Sequence, residues 1–204
     1  MDEVIEKTMN ALKKHMFNPV YVKDKEEAKQ KVLEMVPKGA TVGIPGSSSV
    51  RATGVVEELE KDHELFDHWK EGLSMPEQMQ ARKKQLTCDV LLTSANAVSM
   101  TGELVNMDGF GNRVAPMLYG PAKVIIVAGK NKIAEDLDAA RERIKKVAAP
   151  KRAKELNVKV PCAEKGECTD CNVPMRICRA ETIIHRQPSM TPTTVIIVDE
   201  ELGN

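Results

Sequence analysis

Apolar residues recur along the chain with two spacings, one typical of helices and one typical of strands. Helical spacing covers residues 2–17, 24–36, 50–59, 74–86 and 131–149. Short apolar runs lie between them at residues 20–22, 40–44, 63–68, 88–93, 123–128, 182–186 and 194–198. Strands that alternate with helices of ten or more residues favour a mainly parallel sheet with helices on both faces. We therefore predict an α/β fold.

The length of 204 residues fits a single well-buried domain. Within it the pattern separates four parts. Residues 1–38 are predicted to form N-terminal helices, 39–160 an α/β core, 161–181 a cysteine-rich insertion, and 182–204 the closing strands. No internal repeat or low-complexity tract interrupts this order.

Charge and hydropathy exclude several classes of protein. Thirty basic and thirty acidic residues cancel, so nucleic acid is not an expected partner. No apolar run reaches the roughly 18 residues of a membrane span, and the acidic start of the chain does not resemble a signal peptide. We therefore expect a cytoplasmic protein. The sequence leaves homo-oligomerisation open.

A loop of glycine and serine follows the predicted strand at residues 40–44 and precedes a helix. Backbone N–H groups at such a position can bind an anion, and glycine allows the anion to come close. Gly46, Ser47, Ser48 and Ser49 are thus candidates for anion binding. The loop lacks the Gly-Lys-Ser/Thr ending of a Walker motif. A structural role is equally open: Pro45 and Gly46 form the turn and a serine caps the helix.

Residues 87–128 form the most informative stretch. It begins with an apolar strand, continues through small polar residues and two short alternating segments, and ends in a second apolar strand. Ligands bind at the carboxyl ends of such strands in open α/β sheets. Asn112 and Arg113 lie in a polar loop of this stretch, where the guanidinium could bind a carboxylate or phosphate. Alternatively, the loop is a turn of residues that tolerate positive φ.

Four of the five cysteines lie within seventeen residues, with the spacing C-x5-C-x2-C-x6-C. Such a set supplies soft ligands for an iron–sulfur cluster or, alternatively, for zinc. The spacing matches neither a zinc ribbon nor a ferredoxin motif. A redox-active Cys168/Cys171 pair and reduced cysteines in a loop are also compatible with it, and nearby basic residues are expected to lower the thiol pKa values. The candidate metal ligands are Cys162, Cys168, Cys171 and Cys178.

Three motifs resemble the LUD-domain family of lactate-utilisation proteins (LutC/YkgG-like). They are V-G-I-P-G-S-S-S from Val42, T-S-A-N-A-V-S-M-T-G-E-L-V-N-M-D-G-F-G-N-R from Thr93, and E-L-G from Glu201. The resemblance covers nearly the whole chain. It implies the fold shared by glucosamine-6-phosphate deaminase, ribose-5-phosphate isomerase and the CoA transferases (NagB/RpiA/CoA-transferase-like), here with a cysteine-rich C-terminal segment.

The resemblance also implies roles for particular residues. Gly43, Gly46, Ser47, Ser48 and Ser49 are similar to the phosphate-binding loop of the sugar-phosphate isomerases. Asn96 stands where those enzymes carry a catalytic acid, and an amide cannot act as a general base. Glu103 is the remaining candidate for a catalytic carboxylate, by analogy with the glutamate nucleophile of CoA transferases. A solvated turn is the alternative for Glu103.

Two functions are compatible with these observations, and whether the protein is an enzyme stays open. The resemblance implies an accessory or electron-transfer component of lactate or 2-hydroxy acid utilisation, which would associate with iron–sulfur and flavin oxidoreductase subunits. The alternative is an enzyme or binder that takes a phosphorylated or CoA-linked substrate.

Overall fold

The computed structural model describes residues 1–204, and its main element is a six-stranded parallel sheet with the strand order β1-β10-β7-β4-β2-β3. Its strands are β1 (Asn18–Val22), β2 (Val42–Ile44), β3 (Leu65–Asp67), β4 (Val90–Thr93), β7 (Lys123–Gly129) and β10 (Thr193–Val198). Strand β10 lies between β1 and β7, and each of these pairs is parallel. The predicted α/β class is thus confirmed.

A second, smaller sheet has the order β8-β5-β6-β9. Its strands are β5 (Ala97–Ser99), β6 (Leu104–Asp108), β8 (Ile133–Ala134) and β9 (Ala180–Ile184). Strand β6 pairs antiparallel with both β5 and β9. The apolar run at 182–186 therefore belongs to this second sheet and does not close the large one.

Nine helices pack against these sheets. They are α1 (Glu3–Lys14), α2 (Lys25–Met35), α3 (Ser48–Ala52), α4 (Val55–Leu59), α5 (Met75–Lys84), α6 (Ala115–Leu118), α7 (Leu137–Arg143), α8 (Ala149–Glu155) and α9 (Pro161–Lys165). Their starts follow local rules. The side chains of Asp2 and Asp24 accept hydrogen bonds from the N–H groups of Ile5 and Glu27, and Ser74 with Glu77 forms the predicted capping box.

The large sheet is buried on both faces. Ile125 and Val127 of β7 pack with helices α2 to α4 on one face, whereas Val124 and Ile126 pack with α1 on the other. Side chains of a strand alternate between faces, so a strand that is apolar at every position must be covered on both sides. The uninterrupted apolar runs in the sequence have this cause.

The long helix predicted at residues 131–149 is wrong at both ends. Residues Ile133–Ala134 form β8, and α7 begins only after Asp136, whose side chain accepts a hydrogen bond from Ala139 N at 2.8 Å. The helical path then continues through a π-helical turn at Ile144–Ala148 into α8. Pro150 lacks an N–H group, and the wider turn just before it accommodates that loss.

Candidate functional site

A cavity of about 760 Å³ opens at the carboxyl edge of the large sheet. Its walls come from the loops that follow β2, β3, β4 and β7, from the end of β6, from α8, and from the cysteine-rich segment. The carboxyl ends of neighbouring parallel strands meet at one edge, so loops that are distant in sequence are brought together here. This is the location that the polar stretch at residues 87–128 predicts.

The glycine-serine loop after β2 contributes only part of its residues to the cavity. Gly46 has a φ of +83°, and a Cβ atom at this position would lie 2.2 Å from Trp69 Nε1. Ser47 and Ser48 line the cavity, and the hydroxyl of Ser47 caps α3 by accepting a hydrogen bond from Val50 N at 3.2 Å. The turn-and-cap arrangement is therefore present, and anion binding by Ser48 stays a prediction.

The remaining two residues of the predicted phosphate loop lie outside the cavity wall. A Cβ atom on Gly43 would approach Cys88 Sγ to 2.7 Å, so the missing side chain allows close packing beneath the loop. Ser49 is fully buried, and its hydroxyl donates to the carbonyl oxygen of Leu202 at 3.0 Å. This contact holds the end of the chain, including Asn204, against the cavity.

Asn96 and Arg113, both predicted site residues, are hydrogen-bonded to each other in the cavity wall. The Asn96 side-chain oxygen accepts from Arg113 NH2 at 2.8 Å and from Met107 N at 2.9 Å. Arg113 also donates to Asn106 Oδ1 at 2.6 Å and to the carbonyl oxygen of Met107 at 2.7 Å. Its partners are neutral oxygens, so the positive charge of the guanidinium has no carboxylate in direct contact.

Asp108 is the only acidic side chain that lines the cavity. Its oxygens accept hydrogen bonds from the backbone N–H groups of Gly109 at 2.7 Å and Arg113 at 3.1 Å. The side chain of Asn112, which also lines the cavity, donates to Gln85 Oε1 at 3.3 Å. The polar loop thus forms the turn that its residue types allow, and it also presents groups to the cavity.

Lys132 is a site residue that the sequence analysis missed. It lies in a short 3₁₀ turn (Lys130–Lys132) directly after β7, and only 4% of the residue is exposed. Its Nζ atom lies 3.1 Å from Ser94 Oγ and 3.2 Å from the carbonyl oxygen of Ala95. Burial, together with the charges of Arg143 and Arg113, lowers the pKa of Lys132 to about 7. Its position just after a buried strand is the signal that could have identified it. The sequence pattern instead places Lys132 in the helix predicted at residues 131–149.

Cationic side chains outnumber anionic ones around the cavity by six to one. Besides Asp108, the charged lining residues are Arg82, Arg113, Lys132, Arg152, Arg176 and Arg179. The Nε atom of Arg82 is buried and has no hydrogen-bond partner. Two of the six are paired within the chain, Arg152 with Glu155 at 3.1 Å and Arg176 with Asp170 at 2.9 Å. The remaining excess of positive charge favours an anion in a cavity with low-dielectric walls.

His68 lines the cavity without adding positive charge. Burial lowers its pKa to about 4, so the imidazole is neutral at pH 7. Gln85 Nε2 lies 3.1 Å from His68 Nδ1 and also donates to the carbonyl oxygens of Ile44 and Phe66. The amide therefore ties the imidazole to the ends of β2 and β3 next to the cavity.

An apolar surface faces this polar wall. It is formed by Ile144 and Ala148 of the π-helical turn, by Ala149 of α8, and by Leu156 and Val158 beyond it. The cavity thus combines charged and apolar lining residues, as is common in sites for small molecules.

Glu103, the predicted catalytic carboxylate, lies outside the cavity. It follows the turn between β5 and β6, and its carboxylate accepts a hydrogen bond from the Thr101 hydroxyl. Although burial acts to raise its pKa, the hydrogen bonds from Thr101 and Ser99 prevail and lower it. The structure places Glu103 as a turn residue, away from the other predicted site residues.

The four clustered cysteines line a second cavity of about 20 Å³. The two cavities are adjacent, since they share four lining residues: Ala149, Arg176, Ile177 and Cys178. No group of three or more His, Cys, Asp or Glu side chains is arranged to hold a metal ion. The sulfur atoms are thus gathered in one place, but not in the geometry of a metal site.

The cysteine thiols differ from the sequence expectation in their acidity. Burial, with added contributions from Cys162 and Cys168, raises the pKa of Cys178 to about 11. Burial also raises the pKa of Cys162. Arg176 donates to Cys171 O and Cys178 O at 2.6 Å each and forms an ion pair with Asp170 at 2.9 Å, so no thiol is its direct partner. The expected lowering of the thiol pKa values by basic residues is therefore wrong for these two cysteines.

The fold is that of an α/β protein with a cavity at the carboxyl edge of a parallel sheet. The family model for the LUD domain matches residues 5–198, and the chain therefore belongs to the LUD-domain family. A search of the curated proteins gives no match.

One solved structure has the same fold. It is a DUF162 family protein from Deinococcus radiodurans, with 15% sequence identity, a TM-score of 0.57 and coverage of 96% of each chain. At this identity the likeness concerns the fold alone. In addition, no helix of the chain is both long and apolar enough to cross a membrane.

Proposed function

We propose that the chain binds an anionic small molecule that carries phosphate or carboxylate groups, as a phosphorylated or CoA-linked compound does. The observation that supports this most is the imbalance of charge, since six cationic side chains and one acidic side chain line the cavity. Cations without a carboxylate partner, such as Arg82 and Arg113, destabilise a concave site unless an anion offsets them. A bound anion would supply the missing charge.

The size and the apolar wall narrow the class of ligand. Sites for ligands of drug size occupy roughly 300–1,000 Å³, and this cavity falls within that range at about 760 Å³. Lactate alone would fill a small part of it and would leave the apolar surface of Ile144 and Leu156 uncovered. A larger molecule with an anionic end and an apolar or aromatic part fits both walls. Membership of the LUD-domain family supports a place in lactate or 2-hydroxy acid utilisation.

A ligand screen by thermal unfolding tests this function. Coenzyme A, adenine nucleotides, sugar phosphates, inorganic phosphate, lactate and pyruvate are compared at constant ionic strength. We expect at least one organic phosphate to raise the melting temperature by several degrees at about 100 times its Kd. Lactate and pyruvate should give smaller shifts. No shift with any of these compounds would contradict the proposal.

Two arginine variants locate the binding. Arg82→Met removes a cavity cation whose Nε has no partner, and we expect it to weaken binding at least about tenfold. Arg186→Met is the matched control, because Arg186 lies outside the cavity and is exposed. Its affinity should be unchanged. Equal losses in both variants would mean that the ligand binds elsewhere or through general charge.

A second function is favoured by the cysteine cluster, and we infer it separately. Cys162, Cys168, Cys171 and Cys178 line one cavity that adjoins the ligand cavity. Four sulfur donors are the ligand set of an iron–sulfur cluster or zinc, and such a group would suit an accessory component that exchanges electrons with iron–sulfur or flavin subunits. The sulfur positions would have to rearrange for this, since no metal geometry is present.

Metal analysis of protein purified without oxygen tests this second function. Iron, zinc and acid-labile sulfide are measured in the native protein, in Cys168→Ser and in Cys88→Ser. We expect stoichiometric metal that is lost in Cys168→Ser and retained in Cys88→Ser, because Cys88 lies in a different, buried position. Metal-free native protein, or equal loss in both variants, would rule this function out.

A further inference from the structure

Ser94 and Lys132 form a close pair of polar side chains at the centre of the carboxyl edge. Ser94 is the first residue after β4, and Lys132 follows β7, which is the neighbouring strand. The Ser94 hydroxyl oxygen lies 3.1 Å from Lys132 Nζ. Both residues line the large cavity and are buried, with 5% and 4% exposure. The strands fix this distance, since each residue lies within three positions of a strand end.

The surroundings of Lys132 lack the partner that a buried lysine usually has. Its only hydrogen-bond contacts are Ser94 and the carbonyl oxygen of Ala95, at 3.2 Å. Arg143 of α7 and Arg113 beyond β6 face it with positive charge, and Glu155 of α8 is the only acidic group that opposes them. An uncharged amine is favoured in such a place, and an uncharged amine has a lone pair that can accept a proton.

Ser94 has three possible acceptors for its proton. One is the lone pair of Lys132, the second is the carbonyl oxygen of Ala95 at 3.3 Å, and the third is Ser49 Oγ, which lies 3.5 Å away and itself donates to the carbonyl oxygen of Leu202. When Lys132 is uncharged, the shortest contact, of 3.1 Å, is available to the Ser94 proton. A serine within hydrogen-bond distance of an uncharged lysine has the arrangement of a nucleophile with its base.

We propose that Ser94 is a nucleophile and Lys132 its general base in acyl transfer from an anionic ester or thioester. The Ser94 oxygen forms a bond to the acyl carbon, while the bond between that carbon and the alkoxide or thiolate leaving group breaks. The serine proton passes to Lys132 Nζ and then to the leaving group, which departs as an alcohol or thiol. Water then hydrolyses the serine ester, releasing the acid and restoring the hydroxyl.

Other cavity residues do not offer this chemistry. The Asn96 amide is held by Arg113 and Met107, and Asp108 is held by backbone N–H groups. His68 Nδ1 lies against the Gln85 amide, at 3.1 Å from its Nε2. The inference rests on the proposed function, because the cavity arginines would hold the anionic part of the substrate.

Covalent labelling with two acyl donors tests the pair. Acetyl-CoA is the anionic donor, and 4-nitrophenyl acetate is a small, uncharged activated ester. Intact mass spectrometry measures the acetyl adduct, and peptide mapping locates it. We expect an adduct on Ser94 that neutral hydroxylamine removes, as it removes esters but not amides. An acetyl group on Lys132, or no adduct on Ser94 with either donor, would overturn the proposal.

Variants and pH separate a base from a structural lysine. Lys132→Met should slow Ser94 acylation at least about 100-fold, which is the usual size of a general-base contribution. Lys123→Met and Ser99→Ala are matched controls outside the cavity and should acylate normally. In the native protein the rate should rise as pH increases through about 7, the pKa of Lys132. A flat profile would overturn the proposal even where Lys132→Met fails to fold.

The two donors also separate this inference from the proposed function. Binding of coenzyme A without any Ser94 adduct would support the proposed anion site and contradict the role of Ser94 as a nucleophile. Acylation by 4-nitrophenyl acetate, with no binding of coenzyme A or other phosphates, would support the Ser94–Lys132 pair and contradict the proposed anionic ligand.

Discussion

Two groups of cations lie at the same edge of the sheet, and they are neutralised in different ways. Beside β2 and β3, Arg51 donates to both carboxylate oxygens of Asp67, at 2.8 and 2.7 Å. Around β4 and β7, Arg113 and Lys132 contact neutral oxygens only. In the first group, the positive charge of Arg51 is neutralised by a carboxylate of the same chain. The second has no carboxylate in direct contact, and this contrast supports the proposal that the cavity binds an anion.

The strongest test of the comparison is Arg113→Ala. Its guanidinium donates to two side-chain amides and to two backbone carbonyl oxygens. Removing it leaves buried acceptors without donors, and we expect a loss of about 3–5 kcal/mol in the free energy of unfolding. Urea unfolding at pH 7 measures this. Arg186→Ala should change it by less than about 0.5 kcal/mol, and a similar loss in both variants would contradict the role given to Arg113.

Lys132→Met should change the free energy of unfolding in the opposite direction, so that the variant is more stable. The folded-state pKa of about 7 lies below the ordinary value of 10.5, so the unfolded chain binds the proton more strongly between these pH values. Native stability therefore falls as pH decreases from about 10 to 7. Replacement by methionine should stabilise the ligand-free protein by about 2–4 kcal/mol at pH 7, with less gain near pH 10. A destabilised variant at pH 7 would contradict an unpaired lysine.

Asp67→Ala removes the carboxylate that neutralises Arg51 beside β2 and β3. It leaves Arg51 without its carboxylate and Trp69 N without the acceptor that lies at 2.9 Å. Because Arg51 is partly exposed and can be hydrated, we expect a loss of only about 2 kcal/mol. Asp138→Ala removes an exposed ion pair of 3.6 Å and should cost less than about 0.5 kcal/mol. Coenzyme A binding should persist in both variants, and its loss in Asp67→Ala would link the two groups.

The smallest effect is expected for Glu103→Gln. Glu103 lies outside the cavity and contacts its own turn through Thr101. We expect unchanged ligand affinity and a change of less than about 1 kcal/mol in stability. Calorimetric titration and urea unfolding measure these quantities. A large loss of binding would bring this turn back into the functional site.

The sequence predicts the large sheet well because its strands are buried on both faces. Residues 124–128 and 195–198 are continuous apolar runs, as expected of strands buried on both faces. The second sheet is predicted only in part. The two short alternating segments within residues 87–128 correspond to β5 and β6, but β8 and the pairing of these strands into a separate sheet are not predicted. Its strand β8 has two residues, and its pairing with β5 depends on a contact between distant segments. The spacing of apolar residues along the sequence does not predict a pairing between segments so far apart.

The candidate site is predictable only where residue type signals chemistry. Glycine and serine after β2 and the polar loop around Arg113 attract notice from their types alone. Lys132 does not, because lysine is common on surfaces and its burial arises from the packing of α7 and α8 over the turn. The charge imbalance likewise exists only after loops from several strands have met. Glu103 is the opposite case. A carboxylate often signals catalysis, but this one lies in a turn outside the cavity.

The position of β10 between β1 and β7 also has a consequence during protein synthesis. Strand β1 is made first, but its partner at Thr193–Val198 leaves the ribosome only after nearly all other elements. Residues 18–22 must therefore wait as an unpaired sheet edge, which is the kind of surface that chaperones protect and that aggregation exploits. The emerging chain can complete its central sheet only when this last strand inserts, so translation speed and chaperone supply are expected to influence the yield of folded protein.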